Sequence, residues 1–517
     1  MSTKKHFRFC FSYLKDKIRR VFLLFFLFSP ALTYSQTVDD FYLEKNFNTE
    51  AVIAEIDSIK ISAEEFYLSY EFGPAFVRKK KNSRLTHLNY MINEKLLALD
   101  GYSRGIDTTE EAELMIEEFK NDIAAEEMFK DKILSEISVS DSAVDSIITE
   151  KSLQLELKWI YNPDESGTKE ILKKLNSGIS FDSLFNAQVN DSVHFDDRYL
   201  RSDLYQLKKK NPALARIIDT LKAGDVSLPV HVEDGWYIIK IDNISQNIVT
   251  TESEFLRLKQ EAKNAAIKIE MDKLSDEFVQ NLMLKNNPVI KRDAFNVVRS
   301  YLGKYLLPPD DYEDWQLEQK LNASLQKLDD IPKAALVTLS GGEISIKDFL
   351  QWYRNRSNYI KLNRNSIKDF SLSLEQMIWR MVRDKLIAGE AAALNYDKSE
   401  TVMKQSSWWK DKIVSSIVRN EIANSVIVSS GEIADADTSG HSSDADAINF
   451  EFRKKMLHKI LALKQKYKIS IDENVLNNIP VSQENDPKAI ELYSVKKGGL
   501  IPRTPYPTIN HEWADWE

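Results

Sequence analysis

The chain starts over two thirds of the way along. Ile344-Ser345 and Asp348-Phe349 stand over Ile61-Ser62 and Glu65-Phe66, Met381 to Ala388 matches Met91 to Ala98, and Lys410-Asp411-Lys412-Ile413 repeats Lys130-Asp131-Lys132-Ile133. Each match is short, but three in the same order point to a duplicated module. A duplicated sequence must be satisfied by two copies of one local fold, so the first copy predicts the second.

That local fold is helical with a hairpin at its start. In Val52 to Ile61, β-branched residues flank an Asp57-Ser58 turn candidate, the pattern of a short hairpin. Ser62-Ala63-Glu64-Glu65 follows as a capping box, in which the serine hydroxyl and the glutamate occupy free backbone N–H groups at a helix start. Leu88, Ile92, Leu96 and Leu99 then fall on one helical face, and Ile116, Phe119 and Ile123 with Phe129, Ile133 and Ile137 define a longer helix. Residues 50–150 and 333–428 are therefore expected as two helical modules. The first is expected to be closed by a helix within 252–295 and the second by one within 448–472, with a connector at 296–332.

Only the first copy carries an insertion. Residues 151–250 begin with the apolar strand Leu155 to Tyr161 and end with Gly235-Trp236-Tyr237-Ile238-Ile239-Lys240-Ile241, two helical runs lying between. At the corresponding place the second copy has only 429–447, rich in Ser, Asp, Ala and Gly without apolar period, which predicts a flexible loop. Residues 473–517, with Pro502, Pro505, Pro507, Trp513 and Trp516, predict an extended tail docked on something.

Targeting and chemistry bound the function. The basic stretch Lys4 to Arg20, the apolar run Val21 to Phe28 and small residues before Gln36 make residues 1–35 a secretory signal peptide. The apolar run is well short of the roughly 20 residues a spanning helix needs, so export without a membrane span is expected. The formal charge of −9 argues against nucleic-acid binding, which depends on clustered Lys and Arg. The only cysteine, Cys10, lies in the signal segment, which excludes disulfides, thiol catalysis and cysteine-held metals after cleavage. The histidines show no metal-ligand spacing, and His511-Glu512-Trp513-Ala514-Asp515 lacks the second histidine of a zinc-protease motif. No Gly-rich phosphate loop or Gly-x-Ser-x-Gly occurs. No cofactor is expected.

The order of elements resembles the SurA and PrsA class of periplasmic or extracytoplasmic chaperones, in which a helical module carries an inserted parvulin-type peptidyl-prolyl isomerase domain. The most specific match is Leu221-x-x-Gly224-Asp225-Val226-Ser227-x-Pro229-Val230, followed by Gly235-Trp236-Tyr237-Ile238-Ile239-Lys240. The resemblance implies an α+β fold, mainly duplicated helical modules with a small parvulin-like α/β domain inserted. It also implies two facing histidines and a proline pocket of one Met and two Phe. Here the histidine positions fall on Trp159 and Tyr237, the Met position on Lys210, and the Phe positions on Leu214 and Asp219; the family's Gly-Gly-x-Leu-Gly loop is absent between Asp196 and Asp203. Two of the five become charged, where a proline ring needs a dry site, so a degenerate, catalytically inactive domain is expected.

What remains is a holdase for unfolded outer-membrane or secreted proteins in the periplasm. Its expected client-binding residues are the aromatics Tyr67, Tyr70, Phe72 and Phe76 of the first module and Trp352, Tyr353, Trp379, Trp408 and Trp409 of the second, which could equally be helical core. The alternatives are an active isomerase with a remodelled site and a fixed subunit of an envelope assembly, docked through its tail.

Overall fold

A computed structural model describes residues 46–189, 193–232, 234–248, 250–306, 331–357, 360–434, 443–482 and 504–515. The expected signal peptide lies outside them, as does most of the 296–332 connector.

In chain order, a hairpin of β1 (Val52–Ile56) and β2 (Ile59–Ser62) leads into α1 (Ala63–Glu71), α2 (Ser83–Ser103) and α3 (Glu110–Lys132). Then come α4 (Asp141–Ser152), β3 (Leu153–Asn162), α5 (Glu165–Asn176), α6 (Phe181–Gln188), β4 (Tyr199–Asp203), α7 (Leu204–Lys210), α8 (Pro212–Ile218), β5 (Val230–Val232) and β6 (Gly235–Gln246). After α9 (Glu252–Asn286), β7 (Val289–Ile290) and α10 (Arg292–Leu306), the opening order recurs as hairpin β8 (Ala335–Leu339) and β9 (Gly342–Ser345), then α11 (Ile346–Arg356), α12 (Ile367–Ala393) and α13 (Glu400–Ala434). The chain ends with α14 (Ser443–Lys466), β10 (Ile469–Ile471), α15 (Glu473–Asn478) and a last turn, α16 (Glu512–Asp515). The fold class is α+β, helices with three small sheets.

Local signals act as their chemistry requires. Asp57 turns the first hairpin with φ of 52°. Ser62 accepts from the Glu65 N–H and starts α1; Ser345 and Asp348 form the full reciprocal capping box on α11. The first box is only half made because the Glu65 carboxylate is taken by Lys95, 2.5 Å away.

The chain divides into two compact units, Val139–Lys268 and Val38–Ser138 with Ile269–Glu517, the division falling inside α9. In the first unit, β4-β3-β6-β5 form an antiparallel sheet. One face packs Leu155, Leu157, Ile239 and Ile241 against Leu207, Ala215 and Ile218; the other packs Ile160 and Ile238 against Phe181 and Phe185. The unit is larger than the 151–250 insertion, since Val144 and Ile147 of α4 pack on Ala262, Ala265 and Ala266 of α9.

The second unit corrects the expected closure of the modules. β1 is flanked by β2 and by β10, Ala54 facing Ile471, while β8 is flanked by β9 and by β7, Val337 facing Ile290. Each hairpin is thus completed by the strand that ends the other copy. The closing helices pack on both copies: Met456, Ile460 and Leu463 of α14 are buried with Leu88, Ile92 and Leu96 of α2 and with Val414 and Val418 of α13, and Met271, Val279 and Leu282 of α9 with Ile123, Met128 and Phe129 of α3 and with Ile387, Ala391 and Val402 of the second copy. Sequence order favours closure within a copy, but an edge strand accepts any chain of matching pattern. Of the 429–447 segment expected as a loop, α13 takes the residues up to Ala434 and α14 those from Ser443, and 435–442 lie outside the described residues.

Candidate functional site: the sheet face of the inserted unit

The segment that carries the strongest sequence match is held by its backbone. Gly224 sits at φ +92°, where a side chain is disfavoured; its N–H donates to Ile241 O (2.7 Å), and Ser227 exchanges bonds with Ile239, N–H to carbonyl at 2.7 Å and hydroxyl from the Ile239 N–H at 2.9 Å. This rivets the 224–227 strap to the edge of β6. Gly235 has a different reason: a Cβ there would lie 2.7 Å from the Tyr161 ring and 2.8 Å from Asn162 O. Its absence lets Tyr161 lie against the strand opposite.

Register then decides which side chains meet. Trp159 faces Ile239 and Tyr161 faces Tyr237 across the β3–β6 pair, and alternation along a strand puts Trp159, Tyr161 and Tyr237 on one face. The two tyrosine rings are 5.2 Å apart at 59°. Both hydroxyls are committed to the turn before β6: Tyr161 donates to Asp234 O and Tyr237 to Asp234 Oδ2, each at 2.6 Å. The Arg198 guanidinium lies 4.8 Å from the Tyr161 ring centre. Burial, and after it the Asp234 carboxylate, raise both tyrosines above the usual phenol range; burial lowers Arg198. At neutral pH the pair is a fixed, uncharged donor set.

Of the five parvulin positions, the structure brings three together. Trp159, Leu214 and Tyr237 are half-buried around the apolar cluster of that face. Lys210 and Asp219 are exposed, Lys210 ending α7 and Asp219 capping α8. Exposure at both positions gives their charges access to water, where a proline site would need to be dry. Sequence reasoning missed Tyr161, Arg198 and Asp234. Tyr161 was within reach, being two residues from Trp159 on a strand of period two; Arg198 and Asp234 come from loops and left no periodic signal.

The aromatics expected to hold clients lie in the helical unit; burial argues against Tyr67, Tyr70 and Trp352, while Phe72, Trp408 and Trp409 border the segment 504–513. Tyr67, Tyr70, Trp352 and Trp408 are core residues of the helical unit, Trp352 only 1% exposed. The Trp352 indole N–H donates to Asp384 (3.1 Å) and Tyr70 shares a hydrogen bond with Ser83 (2.8 Å). Phe72, Tyr353, Trp379 and Trp409 are half-buried against the same cores, and the Phe76 side chain lies outside the described residues. Rings spaced three and four apart on helices pack between helices. Among the described residues no cluster of His, Cys, Asp and Glu could hold a metal, and no helix is long and apolar enough to cross a membrane.

Comparison with known proteins finds partial likeness to proteins named as foldases. The chain is 28% identical over 179 residues to foldase protein PrsA 2 of Bacillus cereus, 30% of this chain and 61% of that one. It is 29% identical over 133 residues to the Listeria monocytogenes protein of the same name, 22% of this chain and 45% of that one. The chain is thus similar in part to proteins named PrsA foldases. It spans less than two thirds of the length of each of these relatives, and no family model matches it. Among solved structures, PrsA of Bacillus subtilis is 20% identical, with 44% of this chain and 93% of that chain covered and a TM-score of 0.17. A structure from work on the SurA-like chaperones PEB4 and Cj1289 of Campylobacter jejuni is 18% identical, with 45% and 97% covered and a TM-score of 0.22.

Proposed function

We propose that this SurA/PrsA-like chain is a periplasmic chaperone that holds extended, unfolded polypeptides, outer-membrane proteins foremost, and that its parvulin-type domain binds chain without efficiently isomerising it. The observation that carries the catalytic half is the sheet face itself. Rotating an X-Pro bond means overcoming ~20 kcal/mol of amide resonance, which takes a dry ring pocket and polar groups aimed at the twisted amide. Here the two histidine positions hold Trp159 and Tyr237, and the Tyr237 hydroxyl is already spent on Asp234. What the face offers is aromatic surface, suited to apolar and proline side chains of an extended segment. The polypeptide half is supported by likeness to proteins named foldases, and export by the basic and apolar N-terminal segment.

Two assays test this. The purified chain should suppress aggregation of a denatured outer-membrane β-barrel at near-stoichiometric ratio, and failure to do so overturns the chaperone reading. In a proline-limited refolding assay it should leave the slow phase unchanged, and acceleration that a Tyr237→Phe, Trp159→Ala variant loses would establish the isomerase instead. A fixed-subunit role has less support, since the tail expected to dock on a partner is seated on this chain.

A further inference from the structure

Residues 504–513 lie in a groove of the helical unit built from α1, α2, α3 and α13. The groove holds the tail by three backbone bonds and by side-chain bonds from Lys412 to Asn510 and from Arg419 to Glu512. Thr504 N–H donates to Glu126 Oε2 (3.0 Å), Pro505 O accepts from the Trp409 indole N–H (3.0 Å), and Asn510 N–H donates to Glu94 Oε1 (2.8 Å). Two side chains are anchored: Ile509 and Trp513 are 3% and 4% exposed, and the Trp513 indole N–H also donates to Glu94 (3.0 Å). Tyr506 packs on Phe72, ring centres 5.1 Å apart.

The polar floor does not depend on the tail. Glu94 is paired with Lys412 at 2.8 Å, and Lys95 with Glu65 and Asp411 at 2.5 and 2.7 Å. Lifting the tail leaves these buried ion pairs in place, unlike removal of one partner of a buried ion pair, and parts only the less buried Arg419 of α13 from Glu512. Pro507, Thr508 and Ile509 border a small cavity also lined by Glu65, Met91, Lys95 and Trp408. A groove that grips main chain at three points, offers two apolar anchor seats and keeps Glu94, Lys95 and Lys412 paired among its own residues is suited to many sequences.

We infer that this groove is a polypeptide-binding site of the helical unit, taking segments that run extended to an apolar residue and then turn to present an aromatic four positions on, and that residues 504–513 are its tethered competitor. The inference rests on the proposed binding of unfolded chains. A tethered segment acts at an effective concentration of about 1 mM; if the free segment binds with a dissociation constant near 0.1 mM, clients meet a groove about tenfold weaker than the empty one.

The test uses a labelled peptide of residues 504–517 and the chain ended at residue 503. The peptide should bind the shortened chain, bind the full chain at least tenfold more weakly, and be displaced from the shortened chain by a permanently unfolded polypeptide such as reduced, carboxymethylated lactalbumin. Peptide binding without displacement overturns the inference. Should the shortened chain fail to fold, the full chain with Phe72→Cys and Tyr506→Cys in a Cys10→Ser background, joined by a short bismaleimide, replaces it. The joined form should bind the unfolded polypeptide at least tenfold more weakly than the unjoined form, and equal binding overturns the inference. Displacement intact but aggregation suppression absent would refute the chaperone reading and leave the groove standing.

Discussion

His87 makes the helical unit sensitive to acid, by an amount the structure sets. Its ring is buried among Phe66 and Tyr70, with Nε2 3.0 Å from the Ser69 hydroxyl. Burial, reinforced by Arg78 and Lys412, lowers its pKa from 6.5 to about 3. The folded state therefore binds fewer protons than the unfolded state between those values. The stabilisation is full above pH 6.5 and is lost as pH falls towards 3. The slope is about 1.4 kcal/mol per pH unit well below the unfolded value, so moving from pH 7 to pH 5 costs about 2 kcal/mol from this one group. Urea unfolding followed by tryptophan emission measures it well, because of the nine tryptophans only Trp159 and Trp236 belong to the inserted unit. Other groups titrate too: burial raises Glu65, which works in the opposite direction at lower pH. The comparison is therefore with His87→Gln, which keeps a polar partner for Ser69 and does not titrate. Wild type should lose about 2 kcal/mol more than this variant between pH 7 and pH 5. Equal losses would refute the neutral, buried histidine.

Three further outcomes follow from named contacts. Lys95→Met should cost the helical unit about 3–5 kcal/mol at pH 7, since it leaves the buried Glu65 carboxylate without its cation and Asp411 with only the Tyr102 hydroxyl; urea unfolding should show part of that loss recovered at pH 5, as protonation of Glu65, raised by burial, removes the charge. Trp352→Ala should cost about 3–5 kcal/mol in the same assay, and a variant that instead stays stable but loses client binding would restore the aromatic to the role burial denies it. Gly235→Ala should destabilise the sheet by about 1–3 kcal/mol, because its φ of 151° and the ring of Tyr161 both oppose a Cβ; unchanged near-ultraviolet circular dichroism and urea midpoint would show that Tyr161 gives way.

The sequence announced elements better than partners. Ser62 and Ser345 mark helix starts by a local bond to the N–H three residues on, a signal complete within four residues. The strands β3 and β6 were equally plain from their apolar runs. By contrast, nothing in Ile469-Ser470-Ile471 says which hairpin it will join, since β1 and β8 offer edges of similar pattern and the choice is made by the packing of α14 and α9. The same holds at the sheet face. Trp159 and Tyr237 could be placed because strands carry a fixed alternation, whereas Lys210 and Asp219 sit at helix ends, where one residue of slip turns a side chain from pocket to solvent. Aromatic spacing in Tyr67, Tyr70 and Trp352 carried helical phase without saying which side of the helix faces water.

The pairing of Ala54 with Ile471 has a consequence in time. The first hairpin of the chain cannot gain its third strand until almost the last of the described sequence exists. At roughly 5–20 residues per second, synthesis of the stretch between them takes on the order of 20–80 s. Through that interval the edge of β1 stays open, and the apolar face of α2 waits for α14. Such long-range closure makes for slow folding and prolonged exposure of adhesive surface. A protein proposed to shelter unfinished chains would thus spend its own early life as one, dependent on whatever shelters it until its two ends meet.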